Sequence, residues 1–150
     1  MAPLARALIA FQVPYVAIGG VAVASYDPRR RPRDFDIVVM PSDHGVRRAH
    51  RAVRYLLWRW GLTEGTPPLT LSASAFGQRL ELEVPLVPGT LHVVGGPRVR
   101  LAPDELFACR RWRVLDRCPV AICSFDHLVA MKRASGTPRD QADLELLGVP

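Results

Sequence analysis

Asp34 and Asp36 stand two residues apart in the run Asp34-Phe35-Asp36-Ile37-Val38-Val39. A strand alternates its side chains between faces, so both carboxylates point the same way. Side by side they repel, and a divalent cation is the usual partner that offsets the repulsion. Their apolar flanks sharpen the point, because unpaired carboxylates are costly there. Mg²⁺ prefers oxygen ligands and is commonly shared between one or two carboxylates and substrate phosphates. A third carboxylate from another strand would complete a two-metal site. Glu81 and Glu83 are the candidates, both on the polar parity of the alternating run Arg79 to Val87.

Gly19-Gly20 precedes the aspartates, between the apolar run Tyr15 to Ile18 and a second apolar stretch, Val21 to Tyr26. Glycines between a strand and a helix let backbone approach a phosphate without Cβ obstruction, and the first helical N–H groups point at it. A phosphate cradle and a carboxylate cluster are the parts that phosphoryl-type transfer from a nucleoside triphosphate needs. A glycine pair alone is more often a tight turn, and Glu81 and Glu83 can equally be the wet face of an antiparallel strand. The order strand, Gly-Gly, helix, loop, Asp-x-Asp strand, later acidic strand is far more specific than its parts.

The elements that must position these residues can be read in order. Leu4, Ala7, Leu8 and Phe11 have helical spacing behind Pro3, and Pro14 ends that helix. Tyr15 to Ile18 reads as a buried strand and Val21 to Tyr26 as a helix starting at the glycine break. Asp27 to Arg33 holds four arginines and two prolines and is a loop. Phe35 to Met40 is the next strand. Ser42 or Asp43 caps a helix whose apolar stripe is Val46, Ala49, Val53, Leu56, Leu57 and Trp60, with Arg47, Arg51 and Arg54 on another face. Leu69 to Ala75, Arg79 to Val87 and Leu91 to Val94 read as strands, with turns at Gly77-Gln78 and Pro88-Gly89. Pro103 begins a helix through about Arg111, and Pro119 to Cys123 is a short strand. Ser124 caps a helix over Phe125 to Ser135. Thr137-Pro138-Arg139-Asp140 has capping-box form and opens a last helix that buries Leu144 and Leu147. Nothing divides the chain, so the expectation is a single α/β domain over residues 1–150 with a mixed sheet flanked by helices.

Composition bounds the function. The 150 residues are 49% hydrophobic, enough for a sizeable core. No apolar run reaches membrane-spanning length, and no secretory signal is evident. Cys109, Cys118 and Cys123 are odd in number and lack CxxC spacing, which argues against a disulfide framework or zinc site and for a reducing, cytoplasmic compartment. The net charge is +6, and Lys132 is the only lysine among 20 basic residues. That charge attracts polyanions, phosphates above all.

The ordered motifs resemble the nucleotidyltransferase superfamily that shares the DNA polymerase β-like catalytic core, in its minimal single-domain form. The matching residues are Ile18-Gly19-Gly20, Asp34-Phe35-Asp36-Ile37 and Leu80-Glu81-Leu82. The tail from Ser124 to Leu147 is similar to the C-terminal helices of bacterial AbiEii-like (MNT-type) nucleotidyltransferases, with Leu128, Lys132, Asp140 and Asp143 on the pattern. The resemblance implies a polymerase β-like palm fold and two Mg²⁺ ions, with Mn²⁺ as a substitute. It implies metal ligation by the catalytic residues Asp34, Asp36 and Glu81, with Glu83 as the alternative register. Gly19 and Gly20 would contact the triphosphate of ATP or another nucleotide. Lys132 and Arg30, four residues before the first aspartate, would be basic contacts to it. Asp140 is either a polar active-site group or only a helix cap. Val21, Pro32, Thr137 and Glu81 depart from the residues commoner at those positions.

The leading expectation is an Mg²⁺-dependent nucleotidyltransferase that moves a nucleoside monophosphate onto an acceptor hydroxyl, within a toxin–antitoxin system or as a resistance-type enzyme. The acceptor would be RNA such as tRNA, or a cognate protein. The arginines of 47–54 and 29–33 favour an anionic acceptor. The alternative is a weak or inactive antitoxin-like module that keeps the fold and binds a partner. A plain RNA-binding domain is disfavoured by a lack of aromatics interleaved with the arginines.

Overall fold

The computed structural model describes residues 2–40, 42–59, 61, 80–83, 90–93 and 101–149. Among the described residues, six strands form one mixed sheet: β1 (Tyr15–Ala17), β2 (Phe35–Val39), β3 (Leu80–Glu83), β4 (Thr90–Val93), β5 (Arg111–Leu115) and β6 (Cys118–Ile122), in the spatial order β3-β4-β2-β1-β6-β5. The pairs β1/β2, β3/β4 and β5/β6 are antiparallel, and β1/β6 and β2/β4 are parallel. Around it lie α1 (Ala2–Ala10), α2 (Gly19–Tyr26), α3 (Asp43–Arg59), α4 (Pro103–Ala108), α5 (Phe125–Ser135) and α6 (Pro138–Leu146).

The period-2 alternation of β2 sorts the core into two layers. Phe35, Ile37 and Val39 pack with Leu4 and Leu8 of α1 and with Ala49, Val53 and Leu56 of α3. Val38 belongs instead to the layer of Val16, Ile18, Ala22, Leu106 and Leu128, built with α2, α4 and α5. Asp36 shares the parity of Val38, so the Asp-x-Asp motif faces the α2/α5 side of the sheet and α3 covers the other. Among the described residues, no helix is long and apolar enough to cross a membrane.

Local signals explain most boundaries. Ser124 Oγ accepts from the His127 backbone N–H and starts α5, and Gly136, at φ +62°, ends it in the left-handed conformation. Thr137 Oγ1 accepts from the Asp140 N–H and starts α6. The glycine pair lies inside the first turn of α2 rather than before it, and Asp34 sits just ahead of β2.

Three expectations are corrected. The helix from Pro103 stops at Ala108, and Arg111–Leu115 is a strand that was not anticipated. It forms a hairpin with β6 through Asp116-Arg117, both at positive φ (49° and 59°). This is the double left-handed geometry normally signalled by Asn-Gly or Asp-Gly, here without a glycine. Finally, Leu144 and Leu147 of the last segment are only partly buried, and the buried residue of α6 is Asp143. The expected strand Leu69 to Ala75, the turns at 77–78 and 88–89, the ends of the run Arg79 to Val87, and Trp60 lie outside the described residues.

Leu128 is fully buried between α5 and the sheet. Leu128→Ala is expected to lower unfolding free energy by about 2–5 kcal/mol, read as a lower urea midpoint at unchanged slope.

Candidate active site

One cleft, of about 140 Å³, is lined by Gly19, Gly20, Arg30, Asp34, Asp36, Lys132, Arg139, Asp140 and Asp143. Four segments build it: the start of α2, the loop after α2 with the start of β2, the last turn of α5, and the first turns of α6.

The antiparallel pairing of β1 and β2 sets its floor. Ile18 N–H donates to the Asp36 carbonyl at 2.9 Å, which holds the glycine turn beside the second aspartate. Gly19 has φ +61°, and a Cβ there would fall 2.4 Å from Asp36 Oδ2. Only glycine fits, on both backbone and steric grounds. The first turn of α2 has no side-chain cap, since its N-cap is Ile18. Gly20 faces Arg30, whose Nη2 lies 3.3 Å from where a Cβ would be.

The opposite wall is an ion-pair network. Asp143 is buried, with a side chain only 5% exposed. Arg30 Nε donates to its Oδ1 at 2.6 Å, and Lys132 Nζ lies 2.7 Å from its Oδ2. Lys132 Nζ also donates to Asp140 Oδ1 at 2.6 Å, and Thr137 Oγ1 donates to Asp140 Oδ2 at 2.6 Å. Asp140 is thus both a cap partner and a cleft residue. Desolvation pushes its pKa up, but hydrogen bonds from Lys132, Thr137 and Ser135 and the Lys132 charge outweigh that and hold it at about 2. Arg139 Nη1 stands 3.8 Å from Asp34 Oδ2, a loose contact at the cleft mouth, with Asp34 about one-third exposed.

Gly19, Gly20, Arg30, Asp34, Asp36, Lys132 and Asp140 therefore line one cleft although they come from opposite ends of the chain. Glu81 and Glu83 are placed by backbone register alone. Glu81 pairs with His92 on β4, and His92 pairs with Asp36 on β2. Glu81 shares a cross-strand row with Asp36, two strand spacings or about 10 Å away. His92 occupies the position between them, and Glu83 pairs with Thr90. Among the described residues, no group of three or more carboxylate, histidine or cysteine side chains could hold a metal ion unaided.

Arg139 lines the cleft without having been singled out, and Asp143 lines it too, a residue placed on the tail pattern but given no site role. Asp140 and Asp143 fall at i and i+3 on α6, one face of a helix, and that spacing was the available signal. Cys123 plays no part in the cleft: burial pushes its thiol up to about 12, and all three cysteines are free.

No family model and no curated protein matches the chain. Among solved structures, an antigenic nucleotidyltransferase-like protein from Paracoccidioides brasiliensis superposes with a TM-score of 0.58 at 21% identity, covering 96% of this chain and 70% of that one. The chain thus shares the fold of that protein, a mixed sheet flanked by helices.

Removing the Asp143 carboxylate takes away the acid that Arg30 pairs with and leaves Lys132 with Asp140 alone, in a buried setting. Asp143→Ala is expected to destabilise the protein by about 3–5 kcal/mol in chemical denaturation. Asp140 gives a pH signature. Its folded pKa lies below its unfolded value, so its stabilising contribution is present above pH ~4 and disappears as pH falls toward about 2. The stability difference between wild type and Asp140→Asn should therefore shrink over that window in acid titrations followed by circular dichroism.

Proposed function

We propose that the cleft carries out metal-dependent transfer of a nucleoside monophosphate from a nucleoside triphosphate to an acceptor hydroxyl. The observation that carries this is the contact between Gly19 and Asp36: an uncapped helix start with glycine backbone lies directly against one of two neighbouring carboxylates. Phosphate-binding and metal-binding chemistry would then share one wall.

The donor set fits Mg²⁺. Asp34, just ahead of β2, and Asp36, within it, offer hard oxygen ligands. A site with two carboxylates and an open mouth is what Mg²⁺ accepts when phosphate oxygens and water complete its octahedron. Glu81 or Glu83 is the proposed third acid. Bound there, Mg²⁺ would supply Lewis-acid stabilisation of the phosphoryl oxygens and a lowered pKa at the attacking hydroxyl.

The chain's own residues do the rest. Gly19 and Gly20 receive the phosphates at the α2 N-terminus. Arg30 and Arg139 flank the path by which negative charge enters. Lys132 and Asp140 hold the α5/α6 wall in place, with Lys132 neutralised by two carboxylates until a phosphate competes for it. The acceptor oxygen attacks the α-phosphorus, the bond to the β-phosphate oxygen breaks, and pyrophosphate leaves. The acceptor is an RNA end or a hydroxyl of a cognate protein, as part of a toxin–antitoxin pair.

One observation favours a second reading, a nucleotide-binding module without transfer: His92, not an acid, is the direct register partner of Asp36.

The deciding experiment incubates the protein with each α-labelled nucleoside triphosphate, Mg²⁺, and either total RNA or a candidate protein partner. Label is expected on one acceptor. Asp36→Asn keeps the side-chain shape against Gly19 and should retain the melting temperature while losing a hundredfold or more in rate, on the order of the several kcal/mol that metal stabilisation supplies. Full activity in that variant would sink the reading. Nucleotide binding with no label transferred would select the module instead.

A further inference from the structure

Helix α3 carries a second feature that the cleft does not use. Its 17 residues include Arg47, Arg48, Arg51, Arg54 and Arg59 but a single acid, Asp43 in the first turn. Arg47, Arg51, Arg54 and Trp58 fall at i, i+4, i+7 and i+11, which is one stripe of a helix. All four are exposed, Trp58 by 63%. Tyr55, 42% exposed, lies beside Trp58 with ring centroids 6.0 Å apart and planes tilted by 38°, and Phe11 continues the row 5.4 Å from Tyr55. The expectation that no aromatics interleave with the arginines fails here.

A solvated helix face usually alternates charge signs at i, i+4. This stripe instead sets like charges at 47/51 and 51/54, each pair costing about 0.2–0.5 kcal/mol in isolation. A polyanion relieves that repulsion. The aromatic row adds flat, exposed rings beside the guanidinium groups, the combination of charge and stacking platform that single-stranded nucleic acid uses. Self-association is opposed by the same charge. The position is also distinct: α3 packs on the Phe35/Ile37/Val39 face of β2, while Asp36 faces the other side.

We infer that the Arg47–Arg51–Arg54–Trp58 stripe with Tyr55 is a binding site for single-stranded nucleic acid. The arginines contact phosphates, and Trp58 and Tyr55 stack on unpaired bases. The site does not depend on the transfer reading, because its occupancy is measured without nucleoside triphosphate.

The test is fluorescence anisotropy of the full chain with a labelled oligouridylate of about 15 nucleotides, at a series of salt concentrations. Three phosphate contacts predict a slope of log K against log salt of about −2, from roughly −0.7 per phosphate on a single strand. The double variant Arg51→Glu, Arg54→Glu is expected to lose at least about tenfold in affinity and most of that slope. Trp58→Ala should lose about fivefold or more while keeping the slope, since it removes stacking and no charge. The pair Arg111→Glu, Arg113→Glu on the far sheet edge changes the net charge equally and should bind nearly as wild type. Equal loss in that control would reduce the effect to overall charge and overturn the proposal. So would an unchanged Trp58→Ala. Competition by polyglutamate as strong as by unlabelled oligouridylate would also overturn it, and would give the face to an acidic protein. Circular dichroism checks folding of each variant, and all substituted positions are exposed.

Discussion

The cleft depends on one buried carboxylate. Asp143 receives Arg30 from the loop after α2 and Lys132 from α5, and its own helix, α6, begins only two residues beyond the end of α5. Three segments are therefore tied at a single group. Burying charges is expensive, and such a pair is not by itself a source of stability. What this arrangement supplies is position. Lys132 lies 2.6 Å from Asp140 and 2.7 Å from Asp143, so its ammonium is held on the α5/α6 wall. Arg30 is held against Gly20 in the same way. Among the described residues, Asp34 has a loose contact from Arg139 at 3.8 Å.

The glycine turn imposes the complementary constraint on the floor. Gly19 adopts a left-handed φ and admits the Asp36 carboxylate where a Cβ would sit. The backbone bond from Ile18 to the Asp36 carbonyl fixes the turn at that height. Strand pairing therefore decides where the carboxylate meets the helix start, and sheet and site cannot be altered separately here.

How much of this could be read from the sequence depends on the range of the forces involved. The start and end of α5 and the cap of α6 were legible, because Ser124, Gly136 and Thr137 act within three or four residues of themselves. The Gly-Gly and Asp-x-Asp motifs were legible because their spacing is local. The strand β5 was not. Its hairpin turn uses Asp116 and Arg117 at positive φ, where sequence reading looks for glycine, and pairing with β6 overrides helix continuation from Pro103. The burial of Asp143 was not legible either. A carboxylate on a short helix reads as solvent-facing, and its burial is made tolerable by Lys132 and by Arg30, which lies 113 residues away. Tyr55 and Trp58 stand three apart on one helix, but the extension of their row to Phe11, in the turn after α1, was hidden because it arises only where that turn meets α3.

The distribution of charge bears on what the cleft can hold. The chain as a whole carries +6. The cleft does not share that excess: among its described lining residues, Asp34, Asp36, Asp140 and Asp143 stand against Arg30, Lys132 and Arg139. Four carboxylates against three cations leave a surface that is weakly anionic and already paired within itself. A triphosphate approaching it would meet Asp34 and Asp36 first and be repelled, because the two cations deepest in the wall are neutralised by Asp140 and Asp143. On the proposed reading, divalent cations are needed for binding and not only for chemistry, since they alone convert that aspartate pair from a repulsive feature into the attachment point for phosphate. The basic excess of the chain lies elsewhere. Part of it is carried by α3, on the far side of the sheet, where five arginines stand and no carboxylate follows Asp43 in the helix.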